Sequence, residues 1–177
     1  LMKIAVFGIL PFSQLIKDGF SKLGHEISNE NPDIIFSNDP RGYKEAILLK
    51  KKYSNAFLIL NLLDIPWHMP NIQKQTKLLV STFLLQADAV TVISLKVKKD
   101  LLQFLDRKLH VIYNPRKDVY YEDNIKKNNM FVFVGRANDP VKRVKLIHDS
   151  LSKIKNGIKN IKICGSEDPN FGNYLGY

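Results

Sequence analysis

The segment FVFVGRANDPVKRVKLIHDSL, residues 131–151, carries the clearest indication of the fold in this sequence. A short apolar run ends at Gly135, and an arginine, a proline-containing turn, a lysine and an amphipathic segment follow it. A continuously apolar run is typical of a strand that is buried on both faces of a parallel sheet. The segment therefore predicts a strand, a loop that carries Arg136 and Lys142, and a helix that begins on that loop.

The same alternation of apolar runs and amphipathic segments extends along the whole chain. Upstream, five runs predict strands, at residues 2–8, 33–39, 56–63, 89–94 and 109–113. Four segments predict helices, at residues 14–24, 42–53, 72–87 and 95–105. Ser13 is predicted to cap the first helix and Gly24 to end it. The third helix is apolar nearly all round in its second half, which predicts that it is buried.

This alternation indicates an α/β fold built from Rossmann-like parallel sheets that are covered on both faces. Residues 114–128 are polar, contain Pro115 and lack periodicity, so we interpret them as a linker. The linker separates a first domain, residues 1–113, from a second, residues 129–177, with two predicted strands and one helix. Because two strands cannot bury a sheet alone, we expect the second domain to be truncated here or to rest on the first.

Composition limits the class of protein. The chain has 177 residues, of which 45% are hydrophobic and 25% charged, as in an ordinary globular protein. The single cysteine, Cys164, excludes an internal disulfide, and its apolar surroundings predict a buried thiol. No apolar run reaches the length that a bilayer span requires, and the chain opens directly into a strand. We therefore expect a cytoplasmic protein.

The net charge of +10 indicates an anionic partner, such as phosphate groups or the acidic cytoplasmic face of a membrane. The lysines occur in short groups, which fits solvated helix faces equally well, and both interpretations stay open. Nucleic acid is not expected as a partner, because the sequence has neither an aromatic-studded strand pair nor a basic recognition helix.

The loop between Gly135 and Lys142 offers a more specific anion site. Ligands of open parallel sheets bind outside the carboxyl ends of the strands, and a helix that starts there presents free N–H groups and a positive dipole end. Arg136 can bind a phosphate through two parallel hydrogen bonds, and Lys142 adds a point charge. The pattern predicts a diphosphate site, with two cations on a solvated turn as the alternative.

Several stretches in this order resemble the GT-B glycosyltransferases, in particular the large retaining group called family 4 or glycosyltransferase group 1. Besides the Arg136–Lys142 loop, the resemblance rests on MKIAVFG (2–8), LGHEI (23–27), ADAVTVIS (87–94), HVIYNP (110–115) and IKICGSED (161–168). It implies a GT-B fold of which the chain holds the first domain and the beginning of the second.

The resemblance implies a glycosyltransferase that moves a hexose from a nucleotide-diphosphate sugar to a glycan or glycolipid acceptor. It assigns Gly8, Gly135, Arg136 and Lys142 to donor binding. Arg136 and Lys142 would also be catalytic, since they would stabilise the leaving diphosphate in the place of a metal ion. Neither a metal nor a cofactor is therefore expected.

The loop after the third predicted strand carries Asp64, Trp67 and His68, which we assign to the acceptor side. The resemblance places His68 near the transferred sugar, with Asp64 as an orienting or basic partner. Packing of the histidine and tryptophan over the sheet is the alternative. A second function also stays open, a non-catalytic sugar- or nucleotide-binding module or partner subunit, because the family's acidic segment and base pocket would lie beyond Tyr177.

Overall fold

A computed structural model describes residues 1–65, 74–114, 130–139, 142–157, 159–165 and 168–176. The chain forms two compact units, residues 1–121 and 122–177. The boundary between them falls inside the predicted linker, of which all but Asn114 lies outside the described residues. Both units combine parallel strands with helices, so the predicted α/β class is confirmed.

Unit 1 is a six-stranded parallel sheet of order β2-β1-β3-β4-β5-β6. Its strands are β1 (Lys3–Phe7), β2 (Glu26–Ile27), β3 (Ile34–Ser37), β4 (Phe57–Leu62), β5 (Ala89–Val92) and β6 (Leu109–Val111). Its helices are α1 (Phe12–Lys22), α2 (Tyr43–Lys52), α3 (Lys74–Leu85) and α4 (Leu95–Leu101). All nine elements predicted for this unit are present. The sequence did not reveal β2, because two residues are too few to show a periodicity.

The strand order reverses between β1 and β3, since β2 lies on one side of β1 and β3 on the other. One sheet face packs against α2, α3 and α4 and forms the main core, for example through Ile35, Leu58 and Val90. Strand register places Phe36, Asn61 and Thr91 together on the opposite face. The crevice of an open sheet of this kind lies outside the carboxyl ends of its strands, at the point where the strand order reverses.

The prediction for the start of α1 is wrong. The helix begins at Phe12, and Ser13 is buried in its first turn without a capping side-chain bond. The prediction for its end is confirmed, because Gly24 follows the last turn at φ +85° and donates its N–H to Ser21 O. The N–H of His25 bonds to Phe20 O, which completes a glycine-terminated helix end.

The burial prediction for α3 is also wrong. Val80 and Leu84 are buried, whereas Leu78, Leu79 and Leu85 are each more than half exposed. The helix covers the sheet with one side only, and its outer side keeps leucines in solvent.

Two aspartates tie the amino ends of the strands of unit 1 together. Asp33 accepts the N–H of Lys3 at 2.7 Å, and Asp88 accepts the N–H of Leu58 at 2.7 Å. Lys50 pairs with Asp88 at 3.0 Å and donates to two backbone carbonyls at the end of α2. Burial raises the pKa of Asp88, but the Leu58 N–H and Lys50 outweigh it and lower the pKa overall. Lys50, a member of a basic group, therefore has a structural role.

Unit 2 is a three-stranded parallel sheet, β7 (Phe131–Val134), β8 (Ile161–Cys164) and β9 (Asn173–Gly176), with α5 (Val144–Leu151) between β7 and β8. Its small core gathers Leu151, Ile161 and Ile163. The sequence did not predict β9, because its glycine- and asparagine-rich context indicates a loop. Cys164 is only half-buried at the end of β8, so the predicted buried thiol is wrong.

Candidate functional site

The carboxyl end of β7 is built on glycines. Gly135 has φ +152° and donates its N–H to Cys164 O at 2.9 Å. A Cβ on Gly165, at the end of β8, would overlap Gly135 O, so the two strand ends approach closely. A Cβ on Gly135 would lie 3.8 Å from Cδ and Cε of Lys142. The aliphatic part of Lys142 therefore lies beside this glycine, and its ammonium group is held near the strand end.

The helix after this loop starts later than the sequence predicts, at Val144. Arg143 adopts the left-handed conformation with φ 51°, which an α-helix cannot include, and the helix begins after it. No side chain caps this end, and its first turn holds no acidic residue. The described first turn of α5 therefore supplies no negative charge of its own to the positive dipole end, which favours binding of an anion there.

Arg136 lies on the same loop and forms an ion pair. Its Nη2 lies 2.8 Å from Asp139 Oδ2, and the Arg136 side chain is 70% exposed while that of Asp139 is 16% exposed. The N–H of Lys142 donates to Asp139 O at 2.9 Å, so Asp139 joins both ends of the turn. The guanidinium is mostly exposed, so a phosphate with two accessible oxygens could compete with Asp139 for it.

A crevice of about 340 Å³ opens beside this loop within unit 2. Its described lining comes from the turn, from α5 and from the segment after β8, and includes Ala137, Lys145, His148 and Phe171. His148 packs edge-on against Phe171 with ring centroids 4.9 Å apart, and its Nδ1 lies 3.3 Å from Asp149. Neither His148 nor Lys145 stands in a recognisable sequence motif, so the sequence alone did not point to them.

In unit 1, Gly8 has a clear packing requirement. Its φ is +122°, and a Cβ there would overlap the side-chain oxygen of Asn38. That oxygen accepts the N–H of Ile9 at 3.1 Å. The amide of Asn38 thus holds the β1–α1 loop against β3, which explains the glycine without a ligand; the predicted donor contact of Gly8 stays a prediction.

A chain of buried polar groups runs from Asn38 across the sheet. Asn61 Nδ2 contacts Asn38 O at 3.5 Å, and Thr91 Oγ1 donates to Asn61 Oδ1 at 2.8 Å. The Tyr43 hydroxyl donates to Asn61 O at 2.9 Å. Burial, and then the charge of Asp39, raise the pKa of Tyr43 well above its usual range, so it stays a neutral donor. The sequence analysis missed this chain, although an asparagine within the apolar run FLILNL was its visible signal.

The acceptor-side residues are only partly described. Asp64 is exposed just after β4, and its carboxylate accepts the N–H of the following Ile65 at 2.7 Å. Trp67 and His68 lie outside the described residues. Asn114, which the sequence left open as a cleft residue or a plain turn, lines a cavity of unit 1 together with Asn38 and Asn61.

The described residues show neither a cluster of metal ligands nor a membrane-spanning helix. They contain no group of three or more His, Cys, Asp or Glu side chains placed to hold a metal ion. None of their helices combines the length and apolarity that crossing a membrane requires.

No protein-family model matches the chain, and no curated protein sequence matches it. Solved structures do match, among them the crystal structure of TarM, a glycosyltransferase of GT-B type. The match has a TM-score of 0.60 at 17% sequence identity and covers 94% of this chain and 36% of TarM. The chain therefore spans about a third of the length of TarM. At this identity the likeness concerns the fold, and it confirms the predicted Rossmann-like architecture of GT-B type.

Proposed function

We propose that the chain is part of a glycosyltransferase that moves a hexose from a nucleotide-diphosphate sugar to a glycan or glycolipid acceptor. The observation that carries the proposal is the loop at the end of β7. It combines two exposed cations, Arg136 and Lys142, with a glycine strand end and a helix start that has no acidic cap. A fold shared with a glycosyltransferase supports it.

The donor diphosphate would bind at this loop. During transfer, the bond between the anomeric carbon and the diphosphate oxygen breaks, and the electron pair stays on that oxygen. Arg136, Lys142 and the N–H groups at the start of α5 would neutralise this developing charge. A preorganised donor of this kind contributes about 3–4 kcal/mol to transition-state stabilisation. In this scheme the two cations act in the place of a metal ion, and Gly135 leaves room for the phosphates; a donor contact of Gly8 stays a separate prediction.

The acceptor hydroxyl would form the new bond to the anomeric carbon and pass its proton to a base, a role for which Asp64 is our candidate. Asp64 and His68 are the groups that we assign to this side, with His68 near the transferred sugar and Trp67 against the acceptor. The lysine-rich surface of the chain, with its net charge of +10, suits contact with the anionic cytoplasmic face of a membrane, where a glycolipid acceptor would be found.

The donor site can be tested by titrating the protein with UDP, GDP and ADP in a calorimeter and by following transfer from the corresponding hexose donors. Arg136→Ala and Lys142→Ala should each lower turnover by about 100-fold or more, because each removes one charge partner of the leaving group. Lys153→Ala is the matched control, since Lys153 is exposed in the same unit and lies outside the loop. Wild-type affinity and turnover in both loop variants would contradict the site.

The alternative is a non-catalytic sugar- or nucleotide-binding module or partner subunit. It predicts the same loss of diphosphate affinity in the Arg136 and Lys142 variants, but no transfer by the wild-type protein with any donor and acceptor pair. Binding without turnover would therefore favour the module, and turnover would exclude it.

A further inference from the structure

Unit 1 contains a cavity of about 310 Å³ that the donor chemistry does not use. It lies between α1 and the sheet face that carries Phe36 and Asn61, and residues 112–114 after β6 form another side. Apolar side chains dominate its described walls, among them Phe12, Leu15, Ile16, Phe20, Leu63 and Ile112.

The apolar walls of this cavity are left in contact with solvent. None of the apolar side chains that line it is buried, and Leu23, Ile112 and Tyr113 are each more than half exposed. Isolated exposed apolar side chains are common, but a concave group of them is typical of a site that binds an apolar ligand.

Two buried amides give the cavity a polar floor. Asn38 is fully buried and Asn61 is 5% exposed, and both line the cavity. Asn38 Oδ1 accepts the Ile9 N–H, and Asn61 Oδ1 accepts the Thr91 hydroxyl, so the orientation of each amide is fixed by its oxygen. Among the described residues, each Nδ2 then has a single contact, at 3.5 Å, to Ile9 O and to Asn38 O respectively.

An amide nitrogen carries two hydrogens, so each of these groups keeps donor capacity that the described residues do not use. A buried donor without a partner is costly, and a ligand oxygen in the cavity would remove that cost. No charged side chain belongs to the described lining, and an ionic ligand would lose its hydration there without compensation.

We propose that this cavity binds a small neutral amphiphile. Its aliphatic or aryl part lies along α1, and its hydroxyl, ether or carbonyl oxygen accepts a hydrogen bond from Nδ2 of Asn61, the amide that keeps some accessible surface. The site itself does not depend on the transferase proposal. If the chain is part of a glycosyltransferase, the cavity would hold the lipid end of a glycolipid acceptor, and this inference then rests on the proposed function.

Gly19 offers a direct way to fill the cavity. It lines the site from the middle of α1, and a Cβ there would meet no atom within 4 Å. Gly19→Leu should occupy the space that the ligand needs and leave both amides in place. Gln14→Leu is the matched control, because Gln14 is exposed on the same helix and lies outside the lining.

The probe is n-octyl β-glucoside below its micelle-forming concentration, titrated into the whole chain and followed by calorimetry and NMR. We expect one saturable site, a dissociation constant raised about tenfold or more by Gly19→Leu, and little change in Gln14→Leu. Octyltrimethylammonium has the same alkyl chain but no oxygen acceptor, and it should bind about tenfold more weakly than the glucoside.

Circular dichroism checks that Gly19→Leu is folded. Should it not fold, Ile16→Ala replaces it and is expected to weaken binding by about tenfold through lost apolar contact. Absence of saturable binding by the wild-type chain would overturn the proposal. Unchanged binding after the cavity is filled, or equal binding of the cation, would overturn it as well. No donor sugar enters these titrations, so a negative result leaves the transferase tests intact.

Discussion

A position can require glycine because its φ is positive or because a Cβ atom would have no space. The four glycines of unit 1 differ in which of these two conditions they meet. Gly8 has both, with φ +122° and a Cβ position that overlaps Asn38 Oδ1. Gly24 has φ +85° but open space. Gly42 has φ −95°, but a Cβ there would lie 2.7 Å from Gly8 N and from Ser37 Oγ. Gly19 is helical and open.

Alanine substitutions at these positions should therefore differ in a defined order. Gly24→Ala should cost about 1–2 kcal/mol of unfolding free energy for the left-handed backbone. Gly42→Ala should cost about 1–3 kcal/mol for overpacking. Gly8→Ala carries both costs and displaces Asn38 from the Ile9 N–H, worth about 1 kcal/mol more, which gives roughly 3–6 kcal/mol. Gly19→Ala should stabilise by about 0.5–1 kcal/mol, since alanine is the better helix former.

Urea-induced unfolding measures all four variants against the wild type. The single tryptophan, Trp67, belongs to unit 1, so its fluorescence follows that unit, and circular dichroism follows the whole chain. If Gly8→Ala is destabilised by no more than Gly24→Ala, the contact with Asn38 does not hold the β1–α1 loop. The packing explanation of Gly8 would then be refuted.

The remaining predictions concern the buried polar chain and the amino end of the sheet. Asn61→Ala and Thr91→Val should show a coupling of about 1 kcal/mol in a double-mutant cycle of urea unfolding, and additive effects would contradict their hydrogen bond. Tyr43→Phe should lose about 1 kcal/mol, measured in the same way, because it leaves Asn61 O without its donor. Asp88→Asn should be less stable than wild type by about 1–3 kcal/mol at pH 7, since the carboxylate accepts Leu58 N–H and pairs with Lys50. Folding lowers the pKa of Asp88, so the stability that its carboxylate adds is complete above the ordinary pKa of 3.8 and is lost as the pH falls through the lower pKa of the folded state. Unfolding measured as a function of pH should therefore show the unfolding free energies of the two proteins converging in acid. Asp100→Asn removes an i, i+4 surface ion pair with Lys96 and should change the free energy of unfolding by less than about 0.5 kcal/mol. A larger loss would contradict the small contribution expected of this ion pair.

Local sequence determined the elements of this protein and their class. Continuously apolar runs separated by amphipathic segments are typical of parallel strands covered by helices, and the strands and helices of unit 1 follow that pattern. The same logic placed Arg136 and Lys142 on a loop at a strand end, because the apolar run stops at Gly135 and α5 starts shortly after. The two-residue β2 and the glycine-rich β9 show no hydrophobic pattern of this kind, so the sequence did not predict them.

Only the tertiary structure decided which side chains meet. Asn38, Asn61 and Thr91 are far apart in sequence and come together because parallel register aligns β3, β4 and β5. Register is a property of paired strands, and a single strand's sequence does not contain it. The same holds for the partner of Asp88 and for the cavity beside α1, which exists because α1 and residues 112–114 leave part of one sheet face uncovered. Local pattern therefore fixed the fold class, whereas pairing between distant segments created the sites.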